Sequence, residues 1–335
     1  MNIINQKVVL LVIFLMAVLG TSAQGKSLAE KNEFSKIVAK DGSGDYLTIQ
    51  AAINDCKAFP DKRITIFIKN GIYNEKVRVP EWNPLVSLIG ESKENTIISY
   101  NDNFKSIDLG RNSTFYTATL SVEANNFEAK NLTIENTSGD VGQAIALSVN
   151  ANEVIINNCR ILGNQDTLYV SGNGFKNYFK DCFIEGTTDF IFGSATVFFE
   201  SCTIHSLKDS FITAASTPKG VAFGFVFNNC KLTADKNVTQ VYLGRPWRIY
   251  AKTIFLNCSM GSHIIPDGWE NWSKPDAEKN SFYAEYNCSG FGYQPKLRVS
   301  WSHQLKLKEA KLYTLENCMG AEFAKAITNV NLIVE

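Results

Sequence analysis

The chain has 335 residues, of which 45% are hydrophobic and 12% aromatic, enough apolar matter for a large core. Lys plus Arg and Asp plus Glu balance at 33 each, so no bulk field draws the chain toward nucleic acid or an anionic membrane. This length suits either two ordinary domains or one elongated repeat fold, and the pattern along the chain must decide.

At the N-terminus, Lys7 precedes an apolar run from Val8 to Leu19, and the small residues Thr21 and Ala23 stand before a cut at Gln24. These are the parts of an export leader, so residues 1–23 are set aside from the fold. The run is about half of what a bilayer span needs, which argues against a retained anchor. The mature chain is expected outside the cell, or in the periplasm of a bacterium, with no membrane attachment. Little separates the leader from the first repeat, so no inhibitory pro-region is expected. After the turn Asp41-Gly-Ser-Gly-Asp45, residues Thr48 to Phe59 read as a short amphipathic helix that plugs the N-terminal end of the fold.

A phrase then recurs. Asn158-Cys159-Arg160-Ile161, Asp181-Cys182-Phe183-Ile184, Ser201-Cys202-Thr203-Ile204, Asn229-Cys230-Lys231-Leu232 and Asn257-Cys258-Ser259-Met260 each run polar, small, outward, aliphatic. That is the period of a β-strand. Asn131-Leu132-Thr133-Ile134 is an earlier copy with Leu in the cysteine slot, and Asn287-Cys288 is a later, degenerate one. The intervals from Leu132 to Cys258 are 27, 23, 20, 28 and 28 residues, one turn of a solenoid with loops of varying length. Between them lie Val, Ile, Phe and Thr in alternation, as in Val154-Ile155-Ile156 and Val197-Phe198-Phe199, which excludes helical and leucine-rich repeats. The fold class is all-β, a parallel β-helix with short capping helices near its ends. Most cysteines are then buried thiols in a ladder. If one disulfide forms in an oxidising compartment, Cys182 with Cys202 is the favoured pair. His303 to Asn317 is a predicted helix beside the C-terminal end, and residues 24–335 read as a single domain.

The same register places the acids. Asp166 follows Cys159 by seven residues and Asp189 follows Cys182 by seven, so stacked cysteines imply stacked carboxyls on adjacent turns. Two like charges that close split their titrations into an acid and a base or nucleophile. Asp209 shares the offset from Cys202 but stands in a loop-like setting, Leu207-Lys208-Asp209-Ser210, and is read as exposed.

Four segments around these acids carry a resemblance: Gly142-Gln143-Ala144-Ile145-Ala146-Leu147, Gly163-Asn164-Gln165-Asp166-Thr167-Leu168-Tyr169, Gly186-Thr187-Thr188-Asp189-Phe190-Ile191-Phe192-Gly193 and Tyr242-Leu243-Gly244-Arg245-Pro246-Trp247. In this order they closely resemble the signature stretches of the pectin methylesterases. Weaker likeness extends from Asp41-Gly-Ser-Gly-Asp45 to Trp269-Glu270-Asn271-Trp272. The resemblance implies a right-handed β-helix with a shallow cleft, and an enzyme that cleaves methyl esters of homogalacturonan without metal or cofactor, acting as a monomer. It implies Asp189 as nucleophile, Asp166 as acid and then base, Gln143 and Gln165 as oxyanion donors, and Arg245 as the group that keeps Asp189 ionised. Trp247, Tyr169, Phe192 and Thr188 would meet the sugar. Trp269 and Trp272 either extend that platform or pack beneath it.

Other chemistries find less support. The chain has no Gly-x-Ser-x-Gly elbow, no His-Glu-x-x-His and no Cys-x-x-Cys. Its three histidines, His205, His263 and His303, fall outside the four segments and read as structural or exposed. Asn-x-Ser/Thr sequons begin at Asn112, Asn131, Asn136, Asn237, Asn257, Asn271 and Asn287, several of them at repeated turns where Asn serves the backbone. A polymer-cutting lyase or polygalacturonase on a similar helix is the nearest rival, but a lyase needs a dense acidic cluster for calcium. A noncatalytic sugar-binding β-helix would not need acids in register beside an Arg.

Overall fold

The computed structural model describes residues 32–332, and the expected leader at 1–23 lies outside the described residues. Within them the recurring phrase dictates the corners of the backbone. Asn131, Asn158, Asp181, Ser201, Asn229, Asn257 and Asn287 all have φ between 50° and 56°. This left-handed conformation is one that short polar side chains tolerate better than most. The chain turns there, and the next residue drops into the core.

Each coil supplies one strand to each of three parallel sheets, which hold eleven, seven and eight strands among the described residues. One coil runs Leu168–Val170, Lys176–Lys180 and Phe183–Gly186; the next runs Ile191–Gly193, Thr196–Glu200 and Thr203–Ser206. They pair in register, with Leu168 opposite Ile191, Tyr178 opposite Phe198 and Phe183 opposite Thr203. The molecule is a right-handed parallel β-helix: the repeat predicts the parallel coil, and the hand is the one the resemblance implies. In-register stacking places like on like at the interstrand spacing of about 4.8 Å. Phe199, Phe227 and Phe255 accordingly stack with centroids 4.4 and 4.5 Å apart, and Trp269 lies on Tyr283 at 4.5 Å.

The cysteine ladder is real and reduced. All eight cysteines are free thiols, Cys182 and Cys202 among them. In-register parallel neighbours stand farther apart than the Cβ separation of about 3.8 Å that a disulfide favours. Each laddered Sγ instead donates to the carbonyl two residues earlier, as Cys182 does to Lys180 and Cys202 to Glu200.

The ends are closed differently from each other. Thr48 caps the helix Ile49–Asn54 by accepting from Ala51 N, and Ile49, Ala52 and Ile53 plug the first coil. Glu75 accepts from Ile49 N and Gln50 N, setting a negative charge on the helix N-terminus. The expected helix at His303 to Asn317 is broken: a strand pair at His303–Gln304 leads into the short helices Leu307–Ala310 and Leu315–Met319. With the following helix Ala321–Leu332 they lie against the outer face of the eleven-stranded sheet, where Cys318, Met319, Phe323 and Ile327 cover Tyr178, Phe198, Val226 and Ile254. At the C-terminal end of the stack, buried Arg298 donates to Glu285, to the carbonyls of Ile265 and Pro266, and to that of Gly292. Among the described residues no helix is long and apolar enough to cross a membrane.

Candidate active site

The seven-stranded sheet faces the acids. Gln143 and Gln165 form a parallel bridge on adjacent coils, with Ala144 N donating to Gln165 O at 3.1 Å. One residue further, Asp166 N donates to Thr188 O at 3.1 Å, and on the next coil Asp189 N donates to Phe211 O at 2.8 Å. Asp166 and Asp189 each stand two residues before a paired position, Leu168 opposite Ile191, so they occupy the same place on neighbouring coils. Both have left-handed backbones, with φ of 64° and 49°. Strain of this kind persists only where the surroundings hold it, and here the ladder bonds do so.

Arg245 reaches them from the strand Tyr242–Pro246, two strands along the same sheet from Ile191–Gly193. Its Nε donates to Asp189 Oδ1 at 2.9 Å and its Nη2 to Oδ2 at 2.7 Å, a fork on a carboxylate. The guanidinium is held between two rings, 3.9 Å from the centre of Phe211 and 3.8 Å from that of Trp272. The residue before it must be glycine, since a Cβ on Gly244 would lie 1.9 Å from Thr213 Oγ1.

These groups open into a cavity of about 290 Å3 lined by Gln143, Gln165, Asp166, Asp189, Arg245 and the rings of Phe192, Trp247 and Trp272. Burial pushes the Asp166 carboxyl well above the ordinary carboxylate value, the charge of Asp189 adds to it, and Arg245 opposes both. Burial also raises Asp189, but there the hydrogen bonds and charge of Arg245 pull back. Both carboxyls are raised, Asp166 the further because Arg245 bonds Asp189 directly, so of the pair Asp166 is the one that keeps its proton. Asp189 is 5% exposed, and neither Gln side chain hydrogen-bonds to protein among the described residues, leaving both amides free to donate inward.

The sequence-predicted residues do not all reach the cavity. Gln143, Gln165, Asp166, Asp189, Arg245, Trp247 and Phe192 line it. Tyr169 stands one ring back, 4.8 Å from Phe192 and 5.2 Å from Phe115. Thr188 does not line it; its carbonyl holds Asp166 N and its hydroxyl pairs with Ser210 at 2.8 Å. The two readings of the tryptophans separate, for Trp269 is 1% exposed in the core and Trp272 walls the cavity. Asp209 is exposed, as expected, and caps a turn by accepting from Thr239 N and Gln240 N. Reading the sequence missed Arg111, Thr114 and Phe115, which the 3-10 segment Gly110–Tyr116 brings to the rim. Among the described residues no group of acids, His or Cys is arranged to hold a metal.

Comparison with known proteins agrees with this geometry. The family model described as Pectinesterase matches residues 35–322. Pectinesterase QRT1 of Arabidopsis thaliana is 37% identical over 301 residues, covering 86% of this chain and 76% of that protein. The chain spans 51% and 50% of two longer Arabidopsis relatives. Pectin methylesterase from carrot superposes with a TM-score of 0.82 at 32% identity, over 88% of this chain and 95% of the carrot chain. A pectin methylesterase solved in complex with a hexasaccharide superposes with a TM-score of 0.73 at 27% identity, over 85% and 96%. Fold, site and relatives together define a carboxylic ester hydrolase. The chain belongs to the pectinesterase family.

Proposed function

We propose that this protein is a secreted, monomeric pectin methylesterase that converts methyl-esterified homogalacturonan to pectate and methanol. The observation that carries the reading is the pair of acids on adjacent coils, one gripped by Arg245 and the other with a carboxyl that has no hydrogen-bond partner among the described residues. In this reading a carboxylate oxygen of Asp189 attacks the ester carbonyl, and the oxyanion that forms accepts hydrogen bonds from the side-chain amides of Gln143 and Gln165. Collapse of the intermediate expels methoxide, which takes the proton of Asp166 and leaves as methanol. Asp166, now a carboxylate, removes a proton from water as that water attacks the acyl-enzyme anhydride. The bond to Asp189 breaks, Asp189 departs as carboxylate, and Asp166 again carries a proton. Trp247, Phe192 and Trp272 supply apolar faces for the sugar rings, Tyr169 supports Phe192 from behind, and Thr188 acts by holding the backbone of Asp166.

The hexasaccharide in complex with a related pectin methylesterase supports an oligosaccharide ligand for this chain. Incubation with methylated pectin tests the reaction: methanol should appear without unsaturated ends or new reducing ends. Asp189→Ala should fold and release no methanol above background. Undiminished turnover in that variant would remove Asp189 from the mechanism, and chain shortening by the wild type would replace esterase with depolymerase.

A further inference from the structure

Asn136 opens one of the sequons, Asn136-Thr137-Ser138, yet at the end of the strand Thr133–Asn136 it is only 4% exposed. Its Nδ2 is engaged with three carbonyls: Asp102 O at 2.8 Å, Ile145 O at 3.1 Å and, more weakly, Thr117 O at 3.4 Å. Its Oδ1 accepts from Ser138 N at 3.1 Å, so both ends of the amide are matched by their neighbours.

The three carbonyls belong to separate stretches of chain. Asp102 stands where the chain leaves the strand Thr96–Tyr100 for its excursion outside the repeat, Thr117 where it returns, and Ile145 two residues after Gln143. Thr117 reinforces the joint. Fully buried, its hydroxyl accepts from Ile145 N at 2.9 Å and donates to Thr114 O at 2.7 Å. Ile145 is therefore held at both backbone groups, its carbonyl also taking the bond from Thr119 N at 3.2 Å. The excursion grips Gln143 as well, through Phe104 N donating to Gln143 O at 2.9 Å. Upstream of Gln143 the restraints are weaker. Gly142 has φ of 117° with open space around it, and the ion pair of Asp140 with Lys208 is exposed and screened by solvent. The bridge to Gln165 sets the register of Gln143, and Asn136 and Thr117 hold the chain that follows it.

Resting on the proposed function, in which Gln143 donates to the oxyanion, we infer that Asn136 and Thr117 are positioning residues that aim the Gln143 amide by joining both ends of the excursion to Ile145. Neither lines the cavity. The wall carrying Thr114 and Phe115 and the donor Gln143 are thereby built as one piece, and the oxyanion site is formed before substrate arrives.

Methanol release by the full chain tests this, with Gln143→Ala as the reference variant. Gln143→Ala removes the donor and should lower kcat by about a hundredfold. Asn136→Ser cannot reach the three carbonyls and should lower kcat by about tenfold while KM changes by less than about twofold. Thr117→Val should act in the same sense, and Thr117→Ser, which keeps the hydroxyl, should restore most of the wild-type kcat. The decisive measurement combines the variants. In the Gln143→Ala background, adding Asn136→Ser or Thr117→Val should cost less than about twofold more, because the group they aim is gone. A further tenfold loss there, or a kcat near that of wild type in both Asn136→Ser and Thr117→Val, would overturn the inference. Should Asn136→Ser not fold, Thr117→Val and Thr117→Ser decide by the same comparison. A Gln143→Ala variant with wild-type kcat sinks the role proposed for Gln143 and this inference with it; a large loss in Gln143→Ala that multiplies with the others sinks this one alone.

Discussion

Arg245 holds both carboxylate oxygens of Asp189, at 2.9 and 2.7 Å, from two strands away on the same sheet. Neither partner can relax when the other is removed, because Asp189 is buried and the guanidinium is clamped between Phe211 and Trp272. A buried carboxylate deprived of its cation is strongly disfavoured and takes up a proton instead.

Arg245→Ala should therefore lower kcat by about a hundredfold or more, since a protonated Asp189 is no nucleophile. Arg245→Lys restores charge without the planar fork and should recover only part of the loss. Steady-state methanol release measures both. A kcat for Arg245→Ala within a few-fold of wild type would contradict the role assigned to the pair.

The opposed environments of the two acids set the pH dependence. Activity should rise with pH as Asp189 ionises and fall as Asp166, held well above the ordinary carboxylate value by burial, loses its proton. The stability effect has a definite sign. A carboxyl whose folded pKa is raised contributes stability that is complete below its unfolded pKa and is lost as pH climbs through its folded one. Asp166→Asn should thus be nearly inactive yet melt roughly 2–4 °C higher than wild type at pH 8, with little difference at pH 3. Equal shifts at both pH values would show that Asp166 is not a strained acid.

Register made the acid pair legible in the sequence, and it worked where loop lengths agreed. From the coil of Cys159 to that of Cys182 the step is 23 residues, and the cleft strands keep it, with Leu168 opposite Ile191. On the next coil Ile184 meets Ile204, a step of 20, but Ile191 meets Thr213, a step of 22. Two added residues put Phe211 in the stack and leave Asp209 outside it. Arg111 and Phe115 lay beyond such reasoning, for Gly110–Tyr116 is an excursion outside the repeat and nothing in its spacing aims it at the cleft. The C-terminal covering did leave a trace. Runs such as Thr196-Val-Phe-Phe-Glu200 are buried on both faces, and a sheet apolar on both sides needs a layer outside as well as a core within.

The two tryptophans of the cavity should separate by kinetics. Trp272 touches the guanidinium of Arg245, so Trp272→Ala loosens the clamp on Asp189 and should reduce kcat by about tenfold. Trp247 packs edge-on to Phe192 and does not contact Asp189 through Arg245, so Trp247→Ala should raise KM more than it lowers kcat. The reverse assignment of the two effects would mean that Trp247, not Trp272, orders the nucleophile.

A last prediction concerns stability away from the cleft. His263 is 5% exposed, its Nε2 has no hydrogen-bond partner among the described residues, and burial together with the charge of His205 pushes its pKa down to about 4. Between about pH 6.5 and that value the unfolded chain gains a proton that the folded imidazole refuses, so stability declines as pH falls through this window. Replacing the ring with an apolar side chain of similar size removes both the titration and the unpaired nitrogen. In His263→Leu the melting temperature should fall less between pH 7 and pH 4 than in wild type, by roughly 2–4 °C. Parallel melting curves for the two proteins across that range would show that His263 titrates as freely in the fold as in the unfolded chain.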